Sequence, residues 1–323
     1  MKMLLLSLSC CVLAFVAWPA GSAQRQIWFT MPNYVGAGQD DWNKLFGRPD
    51  APWPEFMNHV QVLAATGIAK IPDEILSNAF TKLSEHHVSF AIDNLAQSWV
   101  NEPECGHRVE SYTDPPGNRK VVNKIQSDGG RLLYIAMDEP LWFGHYYNGH
   151  DACHSDIANV AERAAAIMRE FTKVFPNVAI GDIEPIPALT SQPNWQRDYK
   201  AWLSAFNTAM GQPVAFVHID INWSKPGWQE SLQRFANFVR SERLPIGIIY
   251  NGNTHADSEM TGDKWLNSAK QNYTEIETKL GIIPDQVIFH SWVKFPTHAI
   301  SDKATNELGL DHLVDQYVKK RLN

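Results

Sequence analysis

Apolar runs that end in polar residues recur along the chain, separated by stretches with helical periodicity. Eight such runs predict strands: Ile27–Asn33, Val60–Thr66, Val88–Asn94, Leu132–Pro140, Val178–Pro185, Val214–Asn222, Pro245–Asn253 and Gln286–Val293. Between them, apolar positions repeat at i, i+3 and i+4, the spacing of one helix face. Ile157, Val160, Ala161, Ala164, Ile167, Met168 and Phe171 form one such face. Tyr199, Trp202, Leu203, Phe206 and Met210 form another, and Leu232, Phe235, Phe238 and Val239 a third. Ile75, Leu76, Ala79, Phe80 and Leu83 repeat the pattern after Pro72-Asp73-Glu74, a proline and acids suited to a first helical turn. A last helix is expected over Thr305–Lys320, and the first over Asp40–Phe46 or Pro54–Val60.

Strands that are apolar on both faces and alternate with helices belong to a buried parallel sheet. Eight repeats in about 300 residues fit a single (β/α)8 TIM barrel of the α/β class. A doubly wound sheet usually carries a glycine-rich turn after its first strand, where this chain reads Thr30-Met31-Pro32-Asn33. The organisation expected is residues 1–23 as a signal peptide and 24–323 as one barrel domain. Lys2, the apolar run Met3–Trp18 and small residues up to Ala23 give the signal its charged start, apolar core and cleavage site. The apolar run is short of the ~20 residues a membrane anchor needs. The mature chain is expected to be secreted or periplasmic, with no membrane attachment after signal removal.

Composition changes the picture in three places. A net charge of −7 with no basic run argues against nucleic acid as a partner. Cleavage would remove Cys10 and Cys11, leaving Cys105 and Cys153. Two cysteines in an exported chain predict one disulfide in preference to a catalytic thiol, and they fall in the long loops after neighbouring strands three and four. The 12 tryptophans call for a use, and aromatic faces stack on the apolar faces of sugar rings. Trp28, Trp99, Trp142, Trp223 and Trp292 all fall within or just beyond strand ends.

The active site of such a barrel lies at the C-terminal ends of its strands. Acids and polar groups gather there: Asp93-Asn94, Asp138-Glu139-Pro140, Asp182-Ile183-Glu184-Pro185, the alternating His218, Asp220 and Asn222, then Tyr250-Asn251, and His290 with Trp292. A carboxylate in a buried strand is costly unless paired or used, and Lys70 and Lys294 are the nearest cations in sequence. Carboxyls with separated pKa values are what glycoside hydrolysis needs: one donates a proton to the leaving oxygen, the other attacks or activates water. The expected catalytic set is Glu139, Glu184 and Asp220, with Glu184 preferred over Asp220 as partner and Asp182 as a modulator. The expected substrate contacts are Asp93, Glu110, Asp138, Trp142, Asp182, His218, Asn222, Tyr250, Asn251, His290 and Trp292. The third loop, with His107, Arg108, Glu110 and Tyr112, is expected to cover one side of the cleft.

Tyr134-Ile135-Ala136-Met137-Asp138-Glu139-Pro140 resembles the fourth-strand motif of clan A glycoside hydrolases, secreted (β/α)8 enzymes in which Asn-Glu-Pro carries the general acid/base. The resemblance implies that role for Glu139. The chain departs from the pattern in having Asp138 before the glutamate. It departs again in Tyr250-Asn251, where that clan has a seventh-strand nucleophilic glutamate. A second tripeptide, Asn101-Glu102-Pro103, follows no strand directly and is read as a decoy. Two further classes stay open. One is a barrel that binds a glycan without cleaving it; the other is a metallohydrolase using His145, His150, Asp151 and His154. The expectation is a carbohydrate substrate, no cofactor and no metal. Asn222-Trp223-Ser224 and Asn272-Tyr273-Thr274 match the glycosylation motif and are read as chance.

Overall fold

The computed structural model describes residues 25–98, 105–113, 115–253, 260–302 and 304–322; the expected signal peptide, Trp99 and Asn101-Glu102-Pro103 lie outside them. Eight parallel strands close into a barrel: β1 (Gln26–Met31), β2 (Val62–Ala65), β3 (Ser89–Leu95), β6 (Leu132–Asp138), β7 (Ala179–Ile186), β8 (Val217–Ile221), β9 (Ile246–Tyr250) and β10 (Gln286–Phe289). β10 pairs with β1 from Gln26↔Gln286 to Phe29↔Phe289, which closes the ring. A separate two-stranded ribbon, β4 (Gln97–Ser98) with β5 (Tyr112–Thr113), lies in the third connection.

Eight helices alternate with the barrel strands: α1 (Ala37–Phe46), α2 (Asp73–Glu85), α3 (Pro115–Ser127), α4 (Ile157–Thr172), α5 (Trp195–Met210), α6 (Trp228–Ser241), α7 (Gly262–Thr274) and α8 (Asp311–Leu322). Both stretches considered for the first helix are helical, as α1 and as a 3₁₀ turn over Glu55–His59. The last helix starts at Asp311, later than Thr305, because Asp302 and Glu307 form a bridge that holds the preceding loop. α3 is not among the helices that the apolar periodicity predicts. Its mean hydropathy is low, and its sequence signal is Pro115-Pro116 in the first turn, where a missing N–H costs nothing.

Alternation along each strand sorts side chains into two cores. Outward residues meet the helices in one large cluster containing Phe29, Leu63, Ile135, Val217 and Ile248. Inward residues fill the barrel: Trp28, Val62, Ala64, Ala91, Ala136, Ile183, Phe216, Ile249 and Ile288, with Tyr134 beside them. Trp28, Tyr134, Phe216 and His218 form a ring-to-ring cluster with centroids 4.7–6.1 Å apart. That layer closes only because two facing positions lack a side chain. A Cβ at Gly181 would collide with the Phe216 ring, and one at Gly247 with the His218 ring. The large-against-small packing makes the barrel a solid plug below the cleft.

Cys105 and Cys153 are joined, with Cα atoms 5.1 Å apart, as the sequence reading expected. The bridge ties the β4–β5 connection to the loop after β6, and Gly106 N–H donates to the Asp151 carbonyl (2.7 Å) alongside it. Arg163 on α4 donates to Gln97 (3.0 Å) and Ser155 (2.8 Å), while Gln97 donates to the Val160 carbonyl (3.1 Å). These contacts fix the ribbon that carries Glu110. Among the described residues no helix is long and apolar enough to cross a membrane.

Candidate functional site

The strand ends open into a cleft of about 1250 Å³. Its walls include Asp93, Glu110, Asp138, Glu139 and Asp220, with Trp142, Asn222, His290, Trp292 and Lys294 around them. Each arrives by strand phase. Ala91 and Asp93 on β3, Tyr134, Ala136 and Asp138 on β6, and Phe216 just before β8 with His218 and Asp220 on it all point inward. The last inward residue before the mouth is an aspartate on three strands.

Glu139 is out of phase with that row and would face the helices. It enters the cleft because its backbone turns into the left-handed region, with φ of 48°. This is an unfavourable conformation for a residue with a side chain, and such strain gathers at functional sites. Two bonds hold the turn: Glu139 N–H donates to the Ile183 carbonyl, and Phe143 N–H donates to the Glu139 carbonyl, each at 3.1 Å. The Glu139 side chain is in hydrogen-bond contact with Asp220.

Electrostatics in the cleft follow from burying several acids together. Desolvation is the main cause at every one of them. It lifts Asp93 from 3.8 to about 7, and Asp220 likewise to about 7, partly offset by the hydrogen bond from Glu139. Asp138 and Glu139 rise well above the usual carboxylate range, with neighbouring acids adding to the effect of burial. Glu110 is exposed at the rim, yet the surrounding walls desolvate its carboxyl and raise it too. His290 is lowered to about 4 by burial, and its Nδ1 lies 3.5 Å from Asp93 Oδ2.

Several expected site residues are elsewhere. Glu184, the preferred partner, is fully buried on the outward face of β7 and does not line the cleft. Its two oxygens accept the backbone N–H groups of Leu141 (2.8 Å) and Trp142 (3.1 Å). It therefore caps the turn that presents Glu139, satisfying donors that have no partner within the turn. Asp182, also outward, accepts from Tyr199 Oη (2.7 Å) and Trp202 Nε1 (3.0 Å) on α5. The period-two rule correctly puts Asp182 and Glu184 on one side, but it is the helix side: Ile183 and Pro185 line the cleft instead.

The remaining corrections have similar causes. His218 shares a face with Asp220 but lies one layer deeper, bonded through Nε2 to Gln286 (2.7 Å) inside the plug. Tyr250 points outward, and its hydroxyl donates to Glu277 (3.1 Å). Asn251 is buried, accepting from Trp223 Nε1 and, through its carbonyl, from Asn272 Nδ2. Of the tryptophans considered, Trp142 and the half-exposed Trp292 line the cleft, while Trp28 fills the plug and Trp223 packs on Trp228. Tyr112, on the covering loop, is buried against Phe143 rather than facing the cleft. Lys70 is not among the lining residues, whereas Lys294 is.

His145 Nδ1 lies 2.7 Å from the Ser155 carbonyl and His150 is paired with Asp151 on the surface. Among the described residues no group of three or more His, Cys, Asp or Glu side chains could hold a metal ion. The sequence reading missed Asn118, which lines the cleft from the first turn of α3, because it missed the helix itself. The loop carrying Trp292 and Lys294 is anchored from below by Asp41 on α1, which accepts from Ala299 N–H (2.7 Å) and Ile300 N–H (3.3 Å).

In a Glu184→Gln variant the amide keeps one acceptor and turns an N–H₂ toward the second backbone donor, and the expected result is a stability loss of about 1–3 kcal/mol, read in thermal melts.

No protein-family model matches the chain, and no curated protein matches its sequence. Among solved structures it is similar to a GH10 endoxylanase retrieved from a sugarcane soil metagenome, at 10% identity, covering 90% of this chain and 96% of that one, with a TM-score of 0.52. It is also similar to native xylanase 10B from Thermotoga maritima, at 12% identity, over 92% and 95% of the two chains, with a TM-score of 0.50. The chain has the closed (β/α)8 barrel fold that these glycoside hydrolases share.

Proposed function

We propose that the chain is a glycoside hydrolase, exported after loss of residues 1–23, with Glu139 as proton donor and Asp220 as its carboxylate partner. The observation that carries this reading is Glu139 itself: turned into an acid-lined cleft by a left-handed backbone and bonded to a second raised carboxyl. The fold likeness to glycoside hydrolases supports it, and so do Trp142 and Trp292 on the cleft walls.

The chemistry follows from two buried carboxyls in contact. Burial raises both, Glu139 well above the usual carboxylate range and Asp220 to about 7, and two adjacent acids do not readily ionise together, so near neutral pH the pair keeps one proton between them. Substrate entering between them breaks their hydrogen bond and leaves Glu139 facing the glycosidic oxygen. As the bond from the anomeric carbon to that oxygen breaks, the Glu139 proton passes to the leaving oxygen. Asp220 either takes the proton of an attacking water or attacks the anomeric carbon, and the later hydrolysis restores the acid. Separation of the carboxyls by ~5–5.5 Å with substrate bound gives retention, and ~6.5–9.5 Å gives inversion. Asp93, Asp138 and Glu110 supply further acceptors for sugar hydroxyls.

Reducing-end release from a broad panel of polysaccharides tests the reading. Release from one or more of them is expected. Tight binding of a glycan with no new reducing ends would instead support a non-catalytic glycan-binding barrel.

A further inference from the structure

Asp93 on β3 and His290, the residue after β10, reach toward each other over β1 and β2 at the cleft mouth. His290 Nδ1 lies 3.5 Å from Asp93 Oδ2. That is longer than the roughly 2.7–3.2 Å of a formed N–H···O bond. Burial is the only influence on the protonation of either group, with no hydrogen bond offsetting it. Buried polar groups are usually hydrogen-bonded, and two that face each other without a bond call for an outside partner. A partner can reach them: the two side chains are 15% and 13% exposed, and both line the cleft. The pair also stands beside the reacting carboxyls. Asp93 is in register with Ala136, two residues before Asp138 on the strand that leads into Glu139, and its charge raises Asp138. On its other side the His290 ring packs edge-on against Trp292, with centroids 5.2 Å apart.

The partner must satisfy a carboxyl and an imidazole nitrogen 3.5 Å apart. One hydroxyl does this poorly, because two hydrogen bonds of ~2.8 Å at a tetrahedral oxygen need ends about 4.6 Å apart. Two hydroxyls on adjacent ring carbons give each group a bond of its own. We propose that Asp93 and His290 form a clamp for two neighbouring free hydroxyls of the sugar ring held beside Glu139; this rests on the glycosidase reading and names its substrate class, neutral sugars with an unsubstituted vicinal diol. One hydroxyl donates to the Asp93 carboxyl and the other bonds the His290 nitrogen. A hydroxyl both donates and accepts, so it serves either tautomer of the ring. Other groups fit worse. An ammonium only donates, and serves His290 only when Nδ1 carries no proton. A carboxylate only accepts, and it meets the acids that line the cleft. An acetamido or O-methyl group in place of either hydroxyl brings added bulk to an opening only two side-chain edges wide. Loss of either hydroxyl strands the protein group opposite it, the arrangement that rejects an analogue most strongly.

NMR titration of the full mature chain, with its histidine ring nitrogens labelled, tests the clamp. The probes are the methyl pyranosides of xylose, glucose, mannose and galactose, each beside analogues with one ring hydroxyl removed or O-methylated. At least one parent sugar is expected to bind and to shift the His290 nitrogen signal, which His290→Phe identifies by its loss. Changing either of two neighbouring hydroxyls is expected to weaken binding about tenfold, and changing any other by less than about threefold. Asp93→Asn and His290→Phe, which keep the size of each side chain, are each expected to cost about tenfold on the parent sugar. Each should cost nothing further on the analogue that already lacks the facing hydroxyl, a coupling that a merely structural role does not produce. The sugar series needs no variant, so it decides even if a variant folds poorly. Binding of no sugar, a penalty spread evenly over all hydroxyls, or a bound sugar that leaves the His290 signal unmoved (ordered water only) would overturn the clamp. The two readings fail separately. Reducing-end release that both variants leave unchanged overturns the clamp alone. Diol-selective binding with no release from any polysaccharide overturns the hydrolase alone.

Discussion

Glu139→Gln is expected to lower reducing-end release by about 10²–10⁴-fold while glycan binding persists. The amide keeps the size of the side chain and its place on the left-handed turn, so the cleft stays intact. What the variant loses is the proton: an amide cannot give one to the leaving oxygen, and it cannot share one with Asp220. Asp220→Asn is expected to fall by a similar factor for the opposite reason, since it removes the base or nucleophile and leaves the donor. The two effects should be far from additive, because the pair works as one unit. Their pH profiles should also differ. The parent should lose activity at high pH as the pair gives up its shared proton and at low pH as both carboxyls become protonated. Steady-state rates from pH 4 to 9 check this, and full activity in the Glu139 variant on the true substrate would remove Glu139 from its role.

A second large effect is expected in stability: the melting temperature should fall by about 5–10 °C between pH 6.5 and 8.5. Asp93, Asp182 and Asp220 are each raised from 3.8 to about 7, chiefly by desolvation. Asp138, Glu139 and Glu184 are also raised, well above the usual carboxylate range, by burial with neighbouring acids adding to it. An acid with a higher pKa folded than unfolded holds its proton longer in the folded state. Stability is therefore greatest below the unfolded value and declines as pH rises toward the folded one. Over this window each group at about 7 removes about 1 kcal/mol. His218 and His290 act with the opposite sign, since burial lowers both to about 4. Their contribution grows from about pH 4 to 6.5 and is complete above that, which is why the carboxyls stand alone in the window chosen. Differential scanning fluorimetry in matched buffers reads the effect. A flat or rising melting temperature would mean that the acids are solvated or paired in a way this cleft does not provide. Asp93→Asn should shallow the slope without touching the Glu139–Asp220 pair.

Much of the architecture is legible in the chain. Eight apolar runs became eight barrel strands, with ends shifted by a few residues, and strand phase alone places Asp93, Asp138 and Asp220 at the mouth. The cysteine spacing led to the observed bridge once the barrel made loops three and four neighbours. Phase could also have set Asp182 and Glu184 aside, because Gly181 and Ile183 are the inward residues of β7. Their acidity at a strand end outweighed that signal, although an outward acid can serve a helix cap or a helix tyrosine just as well.

What the sequence by itself determined is therefore the repeating pattern: which stretches are strands, which face each alternate residue takes, and which end of the barrel collects acids. Those are local properties, set by period and by the cost of burying polar groups. Tertiary structure alone decided depth and direction. His218 and Asp220 share a face, yet one packs in the plug and the other reaches the cleft, because Trp28, Phe216 and the bare Gly247 set how high the plug rises. Glu139 is out of phase and still enters, because a backbone turn held by Ile183, Phe143 and the Glu184 cap re-aims it. Each outcome depends on residues distant in the chain meeting in space, and no local period encodes that.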